Sequence, residues 1–110
     1  MDRLEQRLIE DIKKIGLPTD FKLDLRGYSK TYNGRYNTKL KKVIIYPLKK
    51  NGELRDYKII LKYLIHEVIH HYQWNYEEDF VRVKGVMHNA KFYELENNYL
   101  EKAKNLGLLN

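Results

Sequence analysis

The strongest constraint on the fold of this chain is a long helical pattern in its second half. From Leu54 to about Trp74, apolar residues recur at three- and four-residue steps. They mark one broad face that comprises Tyr57, Ile60, Leu61, Leu64, Ile65, Val68 and Tyr72. A face this wide predicts a helix that other elements cover on more than one side. The pattern therefore predicts a central helix around which the rest of a 110-residue chain packs.

Two further helices are predicted near the ends of the chain. Leucines and isoleucines recur at helical spacing from about Asp2 to Ile15, which indicates an amphipathic N-terminal helix. A last helix is expected to begin near Asn89 and to end at Gly107. The segment NYEEDFVRVKGVMHN, residues 75–89, breaks the central pattern and is expected to be a loop or a short extended piece.

Between the first two helices the pattern changes to that of strands. Apolar and charged residues alternate over residues 21–26, and the run Val43–Tyr46 is apolar and β-branched. Asn33-Gly34 lies between tyrosine-rich flanks and favours the positive φ angles of a tight hairpin turn. The prediction is an α+β fold with a small antiparallel sheet of about three strands. Residues 1–110 are expected to form one domain, because two cores would each bury too little apolar surface.

The central helix contains a motif whose spacing suits a metal ion. His66 and His70 are four residues apart, so they lie one turn apart on one helix face and can share an ion. Glu67 is placed to accept a proton from water that attacks a peptide carbonyl. The chain has no cysteine, which excludes disulfides and thiolate zinc sites. One Zn²⁺ per chain is the expected cofactor. The alternative interpretation is that a surface helix carries His66, Glu67 and His70 by chance.

A catalytic zinc site usually has three protein ligands, and the motif supplies two of them. The third must come from elsewhere in the chain. Tyr76 occupies the position six residues beyond the second histidine, where one related pattern has a third histidine. His71 points about 100° away from its neighbour on the helix and is expected to be exposed or hydrogen-bonded. His88 is the favoured third ligand, because the preceding loop could return it to the helix. A glutamate of the last helix, Glu94 or Glu96, is the alternative, and Glu94 is the better placed of the two, about two turns into the helix.

The formal net charge of +6 is concentrated in one part of the chain. Residues 22–62 carry twelve basic and three acidic side chains. Such a block can attract a polyanion, and the tyrosines within it could stack on unpaired bases. The candidate nucleic-acid contacts are Arg35, Lys39, Lys41 and Lys42. The alternative is that the lysines keep an edge strand soluble and the tyrosines pack as cross-strand pairs.

Three segments, in order, resemble the SprT-like zinc metallopeptidase domains, which include the Spartan proteases of DNA–protein crosslink repair. TYNGRYNTKLKKVIIYPL resembles the family's basic strands, LKYLIHEVIHHYQW its His-Glu-x-x-His helix, and MHNAKFYEL the segment that supplies the third ligand. The resemblance spans roughly residues 28–95 and implies a minimal zincin-like fold. It also implies that Glu67 is the general base and that zinc is bound by His66, His70 and His88. Asn89 departs from the family, which usually has glycine there.

The resemblance implies a zinc-dependent endopeptidase that acts on DNA-associated proteins, with DNA bound through residues 22–62. One alternative is a nucleic-acid-binding module whose zinc site is structural or vestigial. Another is a narrow peptidase for a single partner with little affinity for DNA. No apolar run is long enough to span a bilayer, and the N-terminus lacks the apolar core of a signal peptide. A cytoplasmic monomer without membrane contacts is therefore expected.

Overall fold

The structure, a computed structural model, describes residues 2–77, 88 and 90–109. Within these residues the elements are α1 (Asp2–Lys14), β1 (Lys22–Leu25), β2 (Gly34–Asn37), β3 (Lys42–Ile45), α2 (Tyr57–Asn75) and α3 (Ala90–Asn105). The predicted α+β class and the order of its elements are confirmed. The loop expected at residues 75–89 lies mostly outside the described residues, as does Asn89. No helix in the described ranges is both long and apolar enough to cross a membrane.

The three strands form a mixed sheet in the order β1-β3-β2. β2 pairs with β3 antiparallel, as expected, but β1 pairs with β3 parallel, with Leu23 beside Val43. The sheet is therefore not antiparallel throughout. The reason is connectivity, since only strands joined by a tight turn are forced to run antiparallel. β1 is separated from β3 by β2 in the chain, and it lies at the opposite edge of the sheet from β2.

The hairpin turn between β2 and β3 lies at residues 38–41, so the prediction of a turn at Asn33-Gly34 is wrong. The Asn37 side chain Oδ1 accepts hydrogen bonds from two backbone N–H groups of the turn, at 3.0 and 3.1 Å. Lys41 has the positive φ of +49° that completes the reversal. Gly34 instead begins β2, where its missing side chain allows another element to approach closely.

The hydrophobic core lies between α2 and the inner face of the sheet, with α1 and α3 at its sides. α2 provides more fully buried apolar side chains than any other element, namely Ile60, Leu61, Leu64, Ile65, Val68 and Ile69. β3 contributes Val43 and Ile45, and α3 contributes Phe92. Each such side chain stabilises the fold by about 1.5–3 kcal/mol relative to its exposed state. The predicted central position of this helix is confirmed.

A buried polar contact joins α1 to the first turn of α2. The Tyr57 hydroxyl donates a hydrogen bond to Asp11 Oδ2 at 2.6 Å, and Asp11 is only 5% exposed. The Arg7 guanidinium lies over the Tyr57 ring, 3.6 Å from its centroid. Burial, together with the Asp11 carboxylate, raises the pKa of Tyr57, so the hydroxyl remains a donor. This contact fixes how α1 meets the central helix.

Replacing Tyr57 with Phe should lower the free energy of unfolding by about 1–3 kcal/mol, because the buried Asp11 carboxylate loses its hydrogen-bond donor. Urea denaturation followed by circular dichroism measures the change. The control is Tyr28→Phe, since Tyr28 is 43% exposed. This control should stay within about 0.5 kcal/mol of wild type. Equal effects of the two substitutions would contradict a stabilising role for the Asp11–Tyr57 contact.

Candidate metal centre

α2 and the residue two positions before α3 bring three imidazole rings together. Nε2 of His88 lies 3.0 Å from Nε2 of His66 and 3.1 Å from Nε2 of His70. One nitrogen from each ring lies within 4.8 Å of the other two. His66 and His70 meet because they occupy successive turns of one helix. The three residues that the sequence predicts as ligands are thus placed side by side.

The arrangement of these nitrogens suits a tetrahedral zinc ion. Nitrogen ligands at the usual zinc distance of about 2.0–2.1 Å are about 3.3 Å apart in a tetrahedron, close to the separations found here. Burial, together with the neighbouring His66 and His88, lowers the pKa of His70 to about 3. Burial also lowers the pKa of His88. Because metal binding requires neutral imidazole, this environment keeps these two rings ready to bind.

Glu96 of α3 orients one of the three rings. Its Oε2 lies 2.5 Å from Nδ1 of His66, on the side of the ring away from the other histidines. A carboxylate in this position fixes the tautomer and the direction of a metal-binding histidine. Glu96, an alternative third ligand in the sequence analysis, therefore contacts a ligand instead of joining the cluster. Glu94, the other alternative, is exposed, and it is His88 that completes the cluster.

Phe92 forms an apolar wall behind the histidines. Its ring centroid lies 4.4 Å from that of His70, 4.8 Å from that of His66 and 5.0 Å from that of His88. The Phe92 side chain is fully buried, so it limits the rotation of these rings and keeps water from one side of them. In the sequence, Phe92 lies within the segment MHNAKFYEL, but no contact with the histidines is predicted for it. Its position four residues after His88 is the signal that could have placed it at the site.

Glu67 lies beside the cluster and is only 7% exposed. Burial, and to a smaller extent the nearby Glu96 carboxylate, raises the pKa of this carboxyl group to about 7. Gly34 of β2 makes room for it. A Cβ atom at position 34 would lie 3.0 Å from Glu67 Cγ and 2.9 Å from Ile45 Cδ1. This role of Gly34 is not predicted from sequence, because the role depends on how the sheet packs against α2.

A cleft of about 460 Å³ opens beside His66 and Glu67. Residues of the segment before β2 form one wall, and residues of α2 and α3 form the other. The side chains that the cleft exposes include Tyr32, Lys62, Tyr63 and Leu100. A volume of this size is typical of sites for small molecules or single peptide side chains. The mostly buried Glu67 carboxylate can therefore be reached from solvent.

His71 points away from the cluster, as its position on the helix predicts, and takes the hydrogen-bonded role expected for it. The ring is fully buried. Its Nδ1 lies 2.8 Å from the Tyr36 hydroxyl, and its Nε2 lies 2.8 Å from Asp20 Oδ1. Asn75 donates a hydrogen bond to the same Tyr36 hydroxyl at 2.9 Å. These bonds join α2 to β2 and to the segment before β1, which fixes the rotation of α2 about its axis.

The basic candidates lie on the hairpin and face mainly away from α2. Side chains alternate along a strand, so Tyr36 faces α2 while its neighbour Arg35 faces the outer side of the sheet. Arg35 and Lys39 line a groove of about 370 Å³ there. Lys41 is exposed in the turn, and Lys42 Nζ lies 3.3 Å from Asp24 Oδ2. The structure brings these four residues to one hairpin, but not to the metal cluster.

Of the three tyrosines around Asn33-Gly34 in the basic block, two are accessible to a base and one is used within the fold. Tyr28 and Tyr32 are 43% and 45% exposed, which leaves their rings accessible. The Arg35 guanidinium lies 5.0 Å from the centroid of the Tyr32 ring. Tyr36 is instead used in the fold, through its hydrogen bond to His71. Only the first two therefore present surfaces on which a base could stack.

None of the known protein families, curated proteins or solved structures compared with this chain matches it. The chemistry that the site can perform therefore follows from its own residues. They comprise three converging imidazoles, a carboxylate that orients one of them, a second carboxylate beside them and an open cleft. This set can hold a metal ion and present a proton acceptor next to it.

Replacing Glu96 with Gln should weaken zinc binding by about 10–100-fold, because His66 loses the carboxylate that orients its ring. Competition with a chromophoric chelator measures the affinity. Glu94→Gln is the matched control, since it makes the same change two residues away on the exposed side of α3 and should bind zinc like wild type. His88→Ala serves as the reference for loss of a ligand. Wild-type affinity in the Glu96 variant would show that this contact does not support the site.

Proposed function

We propose that this protein is a zinc-dependent endopeptidase in which Glu67 is the general base. The observation that carries the proposal is the convergence of three histidine Nε2 atoms beside a carboxylate at the edge of an open cleft. Structural zinc sites usually have four protein ligands, whereas catalytic sites have three and an open position. The one group in the described residues that could hold a metal has three members. This favours a catalytic site over a structural one.

The roles of the residues follow from their positions. Zinc bound by His66, His70 and His88 would lower the pKa of water and polarise the scissile carbonyl. The Glu67 carboxylate accepts a proton from the attacking water and then donates it to the leaving amine. Gly34 lies against the Glu67 side chain, since a Cβ atom at position 34 would be 3.0 Å from Glu67 Cγ. Glu96 keeps Nε2 of His66 directed toward the cluster.

Replacing Glu67 with Gln should lower peptide hydrolysis by at least about 10²-fold, because the proton acceptor is lost while the three histidines remain. The measurement is cleavage of an unfolded protein and of fluorogenic peptides by the zinc-loaded variant. Elemental mass spectrometry of the same samples establishes that zinc is retained. Glu94→Gln is again the matched control and should cleave like wild type. Unchanged cleavage by the Glu67 variant would rule out the proposed mechanism.

Replacing Gly34 with Ala should lower kcat by about tenfold or more and leave zinc content unchanged, because the new methyl group displaces Glu67. Small misplacements of a catalytic group have effects of this size. Gly27→Ala is the matched control, since a Cβ atom there meets only Leu48 Cδ1 at 3.9 Å. Thermal unfolding of both variants separates a local effect from general destabilisation. A variant at position 34 that turns over substrate as fast as wild type contradicts this positioning role.

We further propose that the substrates are proteins associated with DNA. The resemblance to SprT-like domains supports this, together with the exposed cations of the hairpin. Arg35 and Lys39 line the outer groove, and the cleft opens on the side of β2 that faces α2. A polyanion in the outer groove would leave the cleft open. DNA and the protein substrate can therefore be bound at the same time.

The second candidate function is a nucleic-acid-binding module with a structural or vestigial zinc site. The basic hairpin is the observation that favours it, because its cations do not take part in the metal centre. This candidate requires salt-sensitive DNA binding, metal-dependent folding and no hydrolysis of any peptide. Zinc-loaded protein that binds DNA but cleaves nothing, with or without DNA, would favour it over the peptidase.

A further inference from the structure

The cleft beside the metal centre contains a cation that the proposed hydrolysis does not use. Its walls are largely neutral: Tyr32, Tyr63 and Leu100 contribute apolar surface, and Thr31 and Asn33 contribute uncharged polar groups. Lys62 is the one lysine or arginine among the described residues that line the cleft. No ion pair between Lys62 and another described residue is found. Its ammonium group is thus available to a ligand.

The two carboxylates of the cleft have other partners or tasks. Glu96 is bonded to His66 Nδ1, and Glu67 lies against Gly34 beside the cluster. Lys62 lies four residues before His66 on α2, which corresponds to a rise of about 6 Å along the helix. Lys62 and His66 therefore lie one turn apart on one face of α2, and the Lys62 side chain lines the same cleft as His66. A substrate residue next to the scissile bond can reach it.

We propose that Lys62 makes this cleft select a peptide carboxylate close to the scissile bond. The inference rests on the proposed peptidase function and names its substrate class. The carboxylate belongs either to an aspartate or glutamate side chain or to the C-terminus of the substrate, since both present the same group; recognition of the C-terminus would make the enzyme a carboxypeptidase instead of an endopeptidase. Lys62 is exposed at the edge of the cleft, so a substrate carboxylate can reach it from solvent and the pair has the modest strength of an exposed ion pair. The same cation repels lysine and arginine side chains and thereby excludes them.

The balance of charge favours a single carboxylate over a polyanion. Zinc and Lys62 are positive, and the Glu67 and Glu96 carboxylates are negative. Their formal charges leave one positive charge in the loaded site. A peptide with one acidic group neutralises this charge, whereas a nucleic-acid backbone would bring several phosphates close to both glutamates. The cleft and the outer groove of the hairpin thus suit different ligands.

The test uses fluorogenic peptides of one sequence that differ only in having Glu, Gln or Lys next to the scissile bond. Each peptide is prepared with a free and with an amidated C-terminus. Zinc-loaded wild type should favour the Glu peptide over the Gln peptide by about three- to fivefold in kcat/KM, which is the effect of about 0.6–1 kcal/mol. Lys62→Glu should reverse the order of the Glu and Lys peptides. A preference that survives amidation assigns the carboxylate to the side chain, and one that depends on a free terminus assigns it to the C-terminus.

Lys58→Glu is the matched control, because it makes the same change in net charge one turn earlier on α2, outside the cleft. It should keep the wild-type order of the peptides, whereas Lys62→Met should remove the difference between the Glu and Gln peptides. The proposal is overturned if wild type and Lys62→Glu give the same Glu-to-Gln ratio. It is also overturned if Lys58→Glu changes that ratio as much as Lys62→Glu does.

A binding measurement separates this inference from the peptidase function on which it rests. Fluorescence anisotropy compares the Glu and Gln peptides on zinc-loaded Glu67→Gln and on the same variant with Lys62→Glu. Tighter binding of the Glu peptide that depends on Lys62, with no hydrolysis by wild type, would keep the recognition and refute the peptidase. Hydrolysis by wild type with no preference that depends on Lys62 would refute the recognition and keep the peptidase.

Discussion

The burial of α2 between the sheet and the other helices is the constraint on which the rest of the structure depends. It places Glu67, His70 and His71 in surroundings that penalise charge, and unpaired polar groups in such places cost several kcal/mol. Each of the three is accommodated differently. His71 is hydrogen-bonded on both ring nitrogens, His70 stacks on an aromatic ring, and Glu67 faces a cleft. A helix that is central for packing is thus also the place where ionisable groups have altered chemistry.

Two sets of contacts on opposite sides of α2 hold the candidate site in one arrangement. On the sheet side, the His71 hydrogen bonds to Tyr36 and Asp20 prevent the helix from rotating. On the other side, Phe92 and Glu96 of α3 fix the rings that converge there. These contacts hold the geometry of the cluster from both sides of the helix. Such preorganisation is what sites built on rigid elements provide.

Local patterns predicted much of this protein, and long-range packing determined the rest. The periodicity of the central helix was enough to predict that His66 and His70 share a face, because both lie within a few residues of each other. The preference for Glu94 over Glu96 was wrong, since residues two positions apart differ by about 200° around a helix whose docking angle is unknown from sequence. The role of Gly34 and the parallel direction of β1 were missed for the same reason. Both depend on which strand packs where, and turn propensity at Asn33-Gly34 pointed elsewhere.

The separation of the ligands along the chain has a consequence for folding. His70 and His88 are eighteen residues apart, so one ion bound to both would close a loop in the chain through coordination bonds. Closing a loop of about 15 residues with a disulfide removes unfolded-state entropy worth about 3 kcal/mol, and a metal that bridges a similar span acts in the same sense. In a chain without cysteine, the ion would then serve as a cross-link that anchors α3 to α2. Loss of the ion would then weaken the attachment of α3 to α2, which would still be held by the buried Phe92 and by the contact of Glu96 with His66.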